Sequence, residues 1–363
     1  MPALSPVSVL LRRNLSRLSE NQYKRIILIN PPADEFALEI SANSTTLVSI
    51  YSNDYSIYQY YRKVCSDNRL TVEFNHQITF PDPVGSCLAI IYMPREKPYL
   101  EYLLANTLVN LTPGDQLWLP GENRSGIKSA GKRLQKISTT ARKLDSARHC
   151  SLFALEIDDK IKSALCTTET TGKQYEVNYQ QQSLKFITLP AVFSYGSLDP
   201  ASKMLLATLQ EQPVKGRVLD FACGCGVIGL SLSSAQPEST IDLLDVNAMA
   251  LASTENNIDI NCLSRRNLRV FAADIFSTVT DSYNAIISNP PFHRHSKQSL
   301  EVSKKLIAGA PKYLHKGGEL RIVANKHLPY LRLFNEVFSQ VDILQADKFF
   351  QVIRGRNSSS KNP

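Results

Sequence analysis

The spacing of apolar and polar positions divides the chain into two similar halves. In the second half, short apolar runs at Arg217–Asp220, Ile241–Leu244, Leu268–Phe271, Tyr283–Ser288 and Glu319–Val323 alternate with helix-length segments. Strands alternating with helices predict a mostly parallel sheet wrapped on both faces. Two late runs, Val341–Leu344 and Phe350–Ile353, follow each other closely enough to form a hairpin-like antiparallel edge. The first half repeats the plan more faintly in Arg25–Asn30, Leu47–Tyr51, Leu88–Met93 and Gln116–Leu119. A polar stretch over 158–173 joins the halves, so domains are expected over 1–165 and 175–363. The fold class is α/β, with two tandem doubly wound domains. The run A-I-I-Y-M-P-R-E-K at 89–97 echoes A-I-I-S-N-P-P-F-H at 285–293, which suggests an internal duplication. The first half lacks a glycine-rich turn after its first strand, so its copy of any ligand site is expected to be lost.

Composition narrows the setting. A 43% hydrophobic share is ordinary for a globular chain, and no segment approaches the ~20 consecutive apolar residues that span a bilayer. The N-terminus lacks the charged start and apolar stretch of a secretion signal. Seven cysteines form no paired framework, and Cys223-x-Cys225 is too close for a zinc knuckle. A reduced intracellular protein without a bound metal is the reading these features support. The net charge of +8 is compatible with a polyanionic partner. Arg124, Lys128, Lys132 and Lys136 recur every four residues and would form one ridge on a helix, facing either an RNA backbone or solvent.

Candidate chemistry gathers in the second half. V-L-D-F-A-C-G-C-G-V-I-G-L at 218–230 reads as a strand ending in Asp220, a small-residue loop, and a helix beginning near Val227. Gly224 and Gly226 let a ligand approach the backbone, and Gly229 lets the helix lie on the sheet. Alone, the pattern fits many nucleotide-binding folds, or a plain tight turn. The next strand ends at Asp245, where a carboxylate can accept both hydroxyls of an adenosine ribose. A third acid, Asp274, follows the run ending in Phe271-Ala272-Ala273. Asp274 and the Ile275 N–H could bracket an adenine edge, with Val246 in apolar contact. Each acid alone reads as a cap or turn residue; three at successive strand ends behind one glycine loop point to a nucleoside cofactor.

On the same rim, the fourth strand ends in Asn289-Pro290-Pro291-Phe292-His293. The prolines stiffen the loop and leave carbonyls partly free of the ladder. Phe292 offers a face for a planar base, worth ~1–3 kcal/mol per stacked base. The Asn289 side-chain oxygen and the Pro290 carbonyl could accept the two N–H groups of an exocyclic amine and aim its nitrogen. His293 could hydrogen-bond base or phosphate, or lie on the surface. A second Asn-Pro-Pro, at Asn30-Pro31-Pro32, has no glycine loop before it and no aromatic after it, and reads as a proline stop.

Asp220 to Gly226, Asp245, Asp274 and S-N-P-P-F together resemble the S-adenosylmethionine-dependent methyltransferases of Rossmann-like fold. That resemblance implies that the cofactor's methionine end lies over Ala222, Cys223, Gly224 and Gly226, where Ala222 replaces a more usual glycine. G-E-N-R-S-G-I-K-S-A (121–130), L-D-S-A-R-H-C (144–150), T-L-P-A-V-F-S (188–194) and G-G-E-L-R-I-V-A-N-K-H-L-P-Y (317–330) are similar to the ribosomal RNA small subunit methyltransferase C family. The resemblance covers nearly the whole chain. It implies two tandem methyltransferase-like domains: a degenerate N-terminal one for RNA recognition and support, and a catalytic C-terminal one. It also implies N2-guanine methylation of 16S rRNA in the assembled 30S subunit, a cytoplasmic location, and Phe193 among the cofactor contacts. Gln351 and Ile353 stand where the family tends to have Lys and Tyr, and Cys225 where it has Ala. The residues themselves leave open a 23S-directed guanine enzyme, a glutamine or DNA-adenine methyltransferase, and a non-catalytic assembly factor with a vestigial cofactor fold.

Overall fold

Each half of the chain builds one seven-stranded sheet. The structure is a computed structural model and describes residues 3–20, 23–42, 45–65, 68–80, 85–166, 172–291 and 297–357. It divides into two units, 1–171 and 172–363. The first unit carries β1 (Arg25–Ile29), β2 (Leu47–Ser52), β3 (Leu70–Phe74), β4 (Cys87–Ile91), β5 (Gln116–Glu122), β6 (Arg142–Ala147) and β7 (Cys150–Glu156). The second begins with a separate hairpin, β8 (Lys173–Tyr179) and β9 (Gln182–Thr188). Its sheet follows: β10 (Arg217–Phe221), β11 (Thr240–Asp245), β12 (Leu268–Ala272), β13 (Tyr283–Ser288), β14 (Leu314–Asn325), β15 (Gln340–Ala346) and β16 (Phe350–Arg356).

The orders β3-β2-β1-β4-β5-β7-β6 and β12-β11-β10-β13-β14-β16-β15 match strand for strand. In each sheet five strands are parallel, and a terminal hairpin adds antiparallel to the fifth. Central strands such as β10 and β13 are buried on both faces, which explains their near-continuous apolar sequence. Strand order reverses between β10 and β11 on one side and β13 on the other. Doubly wound sheets open a ligand crevice at that switch point, beyond the carboxyl ends of the strands.

Several elements differ from the sequence expectation. The edge strands β3 and β6 carry polar residues on exposed faces, so their apolar signal is weak. The polar stretch 158–173 contains a helix, Asp159–Cys166, and β8 starts at its end. The hairpin β8–β9 lies on the helix Ala248–Ile260, where side-chain amides imitate a neighbouring strand. Asn257 accepts from the Ile187 N–H and donates to the Ile187 and Cys225 carbonyls. Asn261 exchanges a similar pair of bonds with Lys185.

The shared topology allows the two sheets to be compared strand by strand. With β1 (Arg25–Ile29) matched end to end with β10 (Arg217–Phe221), Ile26 pairs with Leu88 as Val218 pairs with Ala285, so Ala285 falls at Leu88. The same registers make Leu28 the counterpart of Asp220, Ser52 of Asp245, and Tyr92 of Asn289. They also set Asn30 in the place of Ala222. Both residues adopt left-handed backbone, with φ of 52° and 58°. Asn30-Pro31-Pro32 is therefore the counterpart of the turn that follows β10, not a copy of Asn289-Pro290-Pro291.

Candidate cofactor and catalytic site

In the second unit β10, β11, β12 and β13 run parallel, so their carboxyl ends lie along one edge of the sheet. β10 ends at Phe221, and Ala222 to Gly226 form a turn leading into the helix Val227–Ala235. A Cβ on Gly229 would come within 2.7 Å of the Leu243 side chain, so glycine here sets the close approach of helix and sheet. Gly224 has φ of 59° and open space above it, leaving its backbone approachable. The Cys223 N–H donates to the Leu244 carbonyl at 3.0 Å, pinning the turn to β11.

Asp220 is buried beneath this turn. One carboxylate oxygen accepts the Gly229 N–H at 2.8 Å; the other is buried with no hydrogen-bond partner among the described residues. Burial pushes the Asp220 carboxyl up to about 7, against the Gly229 bond and with a further push from Asp245. Asp245, at the tip of β11, accepts from the Gly224 N–H and the Asn247 N–H, each at 2.9 Å. It therefore shapes the turn as well as presenting a carboxylate to the rim. Val246 follows it.

Asp274 lies just beyond β12, which is tied to β11 by the Ala273 N–H on the Asp245 carbonyl at 3.1 Å. Ile275 has φ of 56°, an uncommon state for a β-branched residue. Such strain, roughly 1–2 kcal/mol, concentrates at functional positions. Phe193 is 44% exposed, on a segment held to the same rim by Asn247 donating to the Ala191 carbonyl at 2.9 Å. Cys223 and Cys225 are buried, which raises both thiols, Cys225 to about 11. Both stay protonated; Cys225 contacts the Tyr175 hydroxyl at 3.2 Å.

Asn289 follows β13 on the far side of the crevice. Its amide nitrogen donates to Asp199 at 3.0 Å and to Ser202 at 2.8 Å. Its side-chain oxygen is buried and has no partner among the described residues. Leaving such an acceptor unmatched costs about 1–3 kcal/mol. An incoming N–H donor would supply the missing bond. Pro290 is buried and Pro291 exposed. Phe292 and His293 lie outside the described residues. Asp199 and Ser202 carry no functional signal in the sequence. The run L-D-P-A-S signals a helix start, with Asp199 as cap and Pro200 at the first position, but not the contact with Asn289.

The first unit has a cavity of about 660 Å³ at its own switch point, lined by Asn30, Pro31, Asn53, Tyr92 and Arg124 among others. The crevice persists there, but Leu28, Ser52 and Tyr92 replace the two acids and the asparagine. On this unit the helix Ile127–Ile137 presents Lys128, Lys132 and Lys136 to solvent, while Ile127, Gly131 and Leu134 face inward. A Cβ on Gly131 would come within 2.3 Å of Phe153, which explains a glycine inside this helix. Arg124 does not continue the ridge: it precedes the helix, beyond Gly126 with φ of 86°, and pairs with Glu122.

Gln351 is buried and Ile353, in β16 beside β14, lies in the core, so both are packed within the sheet. Among the described residues no helix is long and apolar enough to cross a membrane, and no cluster of His, Cys, Asp or Glu could hold a metal.

A doubly wound sheet with a glycine turn, strand-end acids and Asn-Pro-Pro on one rim defines a methyltransferase of Rossmann-like fold. Family models agree: residues 183–354 match the methyltransferase small domain, and 8–168 its N-terminal companion. The chain belongs to the ribosomal RNA small subunit methyltransferase C family. It is 35% identical to the member from Psychromonas ingrahamii, covering 95% of each chain. It is 34% identical to that from Erwinia tasmaniensis, covering 99% of this chain and 98% of that one. A solved structure of the Thermus thermophilus 16S rRNA N2 G1207 methyltransferase, in complex with AdoMet and guanosine, shares the fold. Its TM-score is 0.81 at 20% identity, over 97% of this chain and 92% of that one.

Proposed function

We propose that this protein transfers a methyl group from S-adenosylmethionine to the exocyclic N2 of a guanine in 16S rRNA, in the cytoplasm and on the assembled 30S subunit. The observation that carries this reading is the buried, unmatched side-chain oxygen of Asn289 on the rim of the crevice. Family membership and the Thermus neighbour's ligands support the substrate.

The residues present fit the cofactor. The unmatched Asp220 oxygen suits its cationic end, Gly224 leaves the turn open, and Asp245 offers an acceptor toward the ribose. Asp274, the Ile275 N–H and Val246 bound the adenine, and Phe193 covers the outer side. When bound, S-adenosylmethionine supplies an electrophilic methyl on sulfonium. The protein's task is to aim a poor nucleophile, because the guanine amine delocalises its lone pair into the ring. Asn289 accepts one N2–H and the Pro290 carbonyl the other, which orients the nitrogen and stabilises the positive charge that develops on it. No strong base is required of the protein: with the amine aimed by Asn289 and the Pro290 carbonyl, the N2 proton would leave to solvent after the methyl is received. Phe292 stacks on the base, Pro291 stiffens the loop, and His293 reaches base or phosphate. The base must leave its helix to reach this pocket.

In this reading the second unit is catalytic and the first supports and recognises RNA through Lys128, Lys132 and Lys136. Incubating the protein and labelled cofactor with 30S subunits, 50S subunits and naked rRNA, then mapping the methylated base, tests it. Methyl transfer to an N2 in 16S rRNA is expected; label in 23S rRNA alone, or on an adenine, would overturn it. Asn289→Ala should cut single-turnover rate by roughly a hundredfold with RNA affinity nearly unchanged.

A further inference from the structure

Every side-chain donor and acceptor of Asn289 is accounted for except its buried oxygen. Its two amide hydrogens meet Asp199 and Ser202, and its oxygen meets nothing among the described residues. An asparagine amide can rotate by half a turn with almost no change in shape, exchanging its donor and acceptor ends. Here the two orientations are far from equivalent. In the rotated form the oxygen would stand 3.0 Å from an Asp199 oxygen, acceptor against acceptor. The NH₂ would then point at the incoming amine, donor against donor. A carboxylate cannot donate, so Asp199 selects one orientation.

We propose that Asp199, assisted by Ser202, is a positioning residue for methyl transfer that locks the Asn289 amide with its oxygen toward the substrate amine. The inference rests on the reading of Asn289 as the amine acceptor. A second consequence follows from charge. The Asp199 carboxylate, hydrogen-bonded to the NH₂ end, polarises the amide and makes its oxygen a stronger acceptor as N2 becomes positive.

The fold holds Asp199 firmly enough for this task. It caps the helix Pro200–Glu211, accepting the Ser202 N–H at 3.0 Å, with Pro200 fixing the first turn. The far end of that helix is fastened to the sheet by Arg321 of β14. This arginine is 1% exposed and donates to the Thr208 and Gln212 carbonyls at 2.9 and 3.0 Å. β14 is the parallel neighbour of β13, the strand that delivers Asn289. One partner thus follows β13, and the other caps a helix whose far end is tied to the neighbouring strand.

The test is a double-mutant cycle read by single-turnover methylation of 30S subunits, with cofactor affinity and unfolding midpoint measured on each variant. Asp199→Ser retains a helix cap while removing the carboxylate, and Asp199→Asn retains size and one acceptor. Asp199→Ser should slow transfer roughly ten- to a hundredfold at unchanged cofactor affinity, and Asp199→Asn should recover part of that rate. In an Asn289→Ala background, Asp199→Ser should add less than about threefold, because its effect runs through Asn289. Three results would overturn the proposal: a normal rate in Asp199→Ser, a full additional loss on top of Asn289→Ala, or a rate loss matched by lost cofactor affinity. A normal rate in Asn289→Ala itself would instead overturn the underlying assignment of the amine acceptor.

Discussion

The Gly224 N–H donates to the Asp245 carboxylate at 2.9 Å, so the acid proposed to hold the ribose also holds the glycine turn. A second bond, from the Asn247 N–H, ties the same carboxylate to the start of the next helix. Asp245→Ala should therefore do more than weaken the grip on the ribose. Cofactor affinity is expected to fall by about 1.5–3 kcal/mol, and stability by about 1–3 kcal/mol from two unmatched N–H groups. Asp245→Asn keeps one acceptor for the turn and should lose less stability than affinity. Calorimetry with cofactor and denaturant unfolding separate the two effects; unchanged affinity in both variants would remove Asp245 from the cofactor site.

If Asp220 faces the cofactor's cationic end as proposed, cofactor binding should depend on pH. Burial pushes the Asp220 carboxyl up to about 7, far above the ~3.9 of an exposed aspartate. A cation beside its unmatched oxygen favours the carboxylate, so binding below pH 7 must release a proton. Affinity should rise with pH, by up to tenfold per unit, and level off above about 7. Stability of the free protein runs the other way. The native state keeps a proton that the unfolded chain has already lost, so stability declines from about pH 4 to 7. Asp220→Asn should flatten both profiles. Calorimetry in buffers of different ionisation enthalpy would count the proton, and a count of zero at pH 6 would refute the role.

The second half is far more legible in the sequence than the first. Val218–Asp220 and Ala285–Ser288 are buried on both faces, so their apolar runs stand out, and the residues that end them face the crevice. Polar edge strands such as β6 give no comparable signal, because one face meets water and alternation is weak. Asp199 is invisible for another reason. Its 90-residue separation from Asn289 is closed only by the sheet, and locally it reads as a helix cap. Similar letters also hide a difference in place: Asn30-Pro31-Pro32 reads as a proline stop, and it follows β1, the counterpart of β10, rather than the counterpart of β13.

The lysine ridge gives a salt-dependence prediction. Lys128, Lys132 and Lys136 project from one face of their helix, and none pairs with an acid among the described residues. Replacing Lys128 and Lys132 together by alanine should weaken binding to 30S subunits without touching cofactor affinity. The log–log salt slope should fall by about 0.7–0.9 for each phosphate no longer neutralised. Arg124→Ala should have a smaller effect, since Arg124 already pairs with Glu122. An unchanged slope in the double variant would make the ridge a solvated face.

Asn30 supplies the control for the catalytic motif, and the structure raises what its loss should cost. Its side-chain oxygen accepts the Asn53 N–H at 2.9 Å, and its amide nitrogen donates to the Tyr99 hydroxyl at 2.8 Å. Asparagine also tolerates the left-handed backbone of this position better than alanine does. Asn30→Ala should thus destabilise by roughly 2–3 kcal/mol, from two lost hydrogen bonds and about half to one further kcal/mol of backbone preference. Asn30→Gly relieves the backbone but not the bonds, and should fall between the two. Ala222→Gly, at the matching position of the second unit, loses no side-chain bond and should be neutral or stabilising by up to ~1 kcal/mol. None of the Asn30 variants should alter the single-turnover rate under conditions where they are folded. Urea unfolding gives the ranking, and methylation of 30S subunits at low temperature gives the rate. A hundredfold slower reaction in folded Asn30→Ala, equal to that of Asn289→Ala, would mean that the first unit takes part in the chemistry.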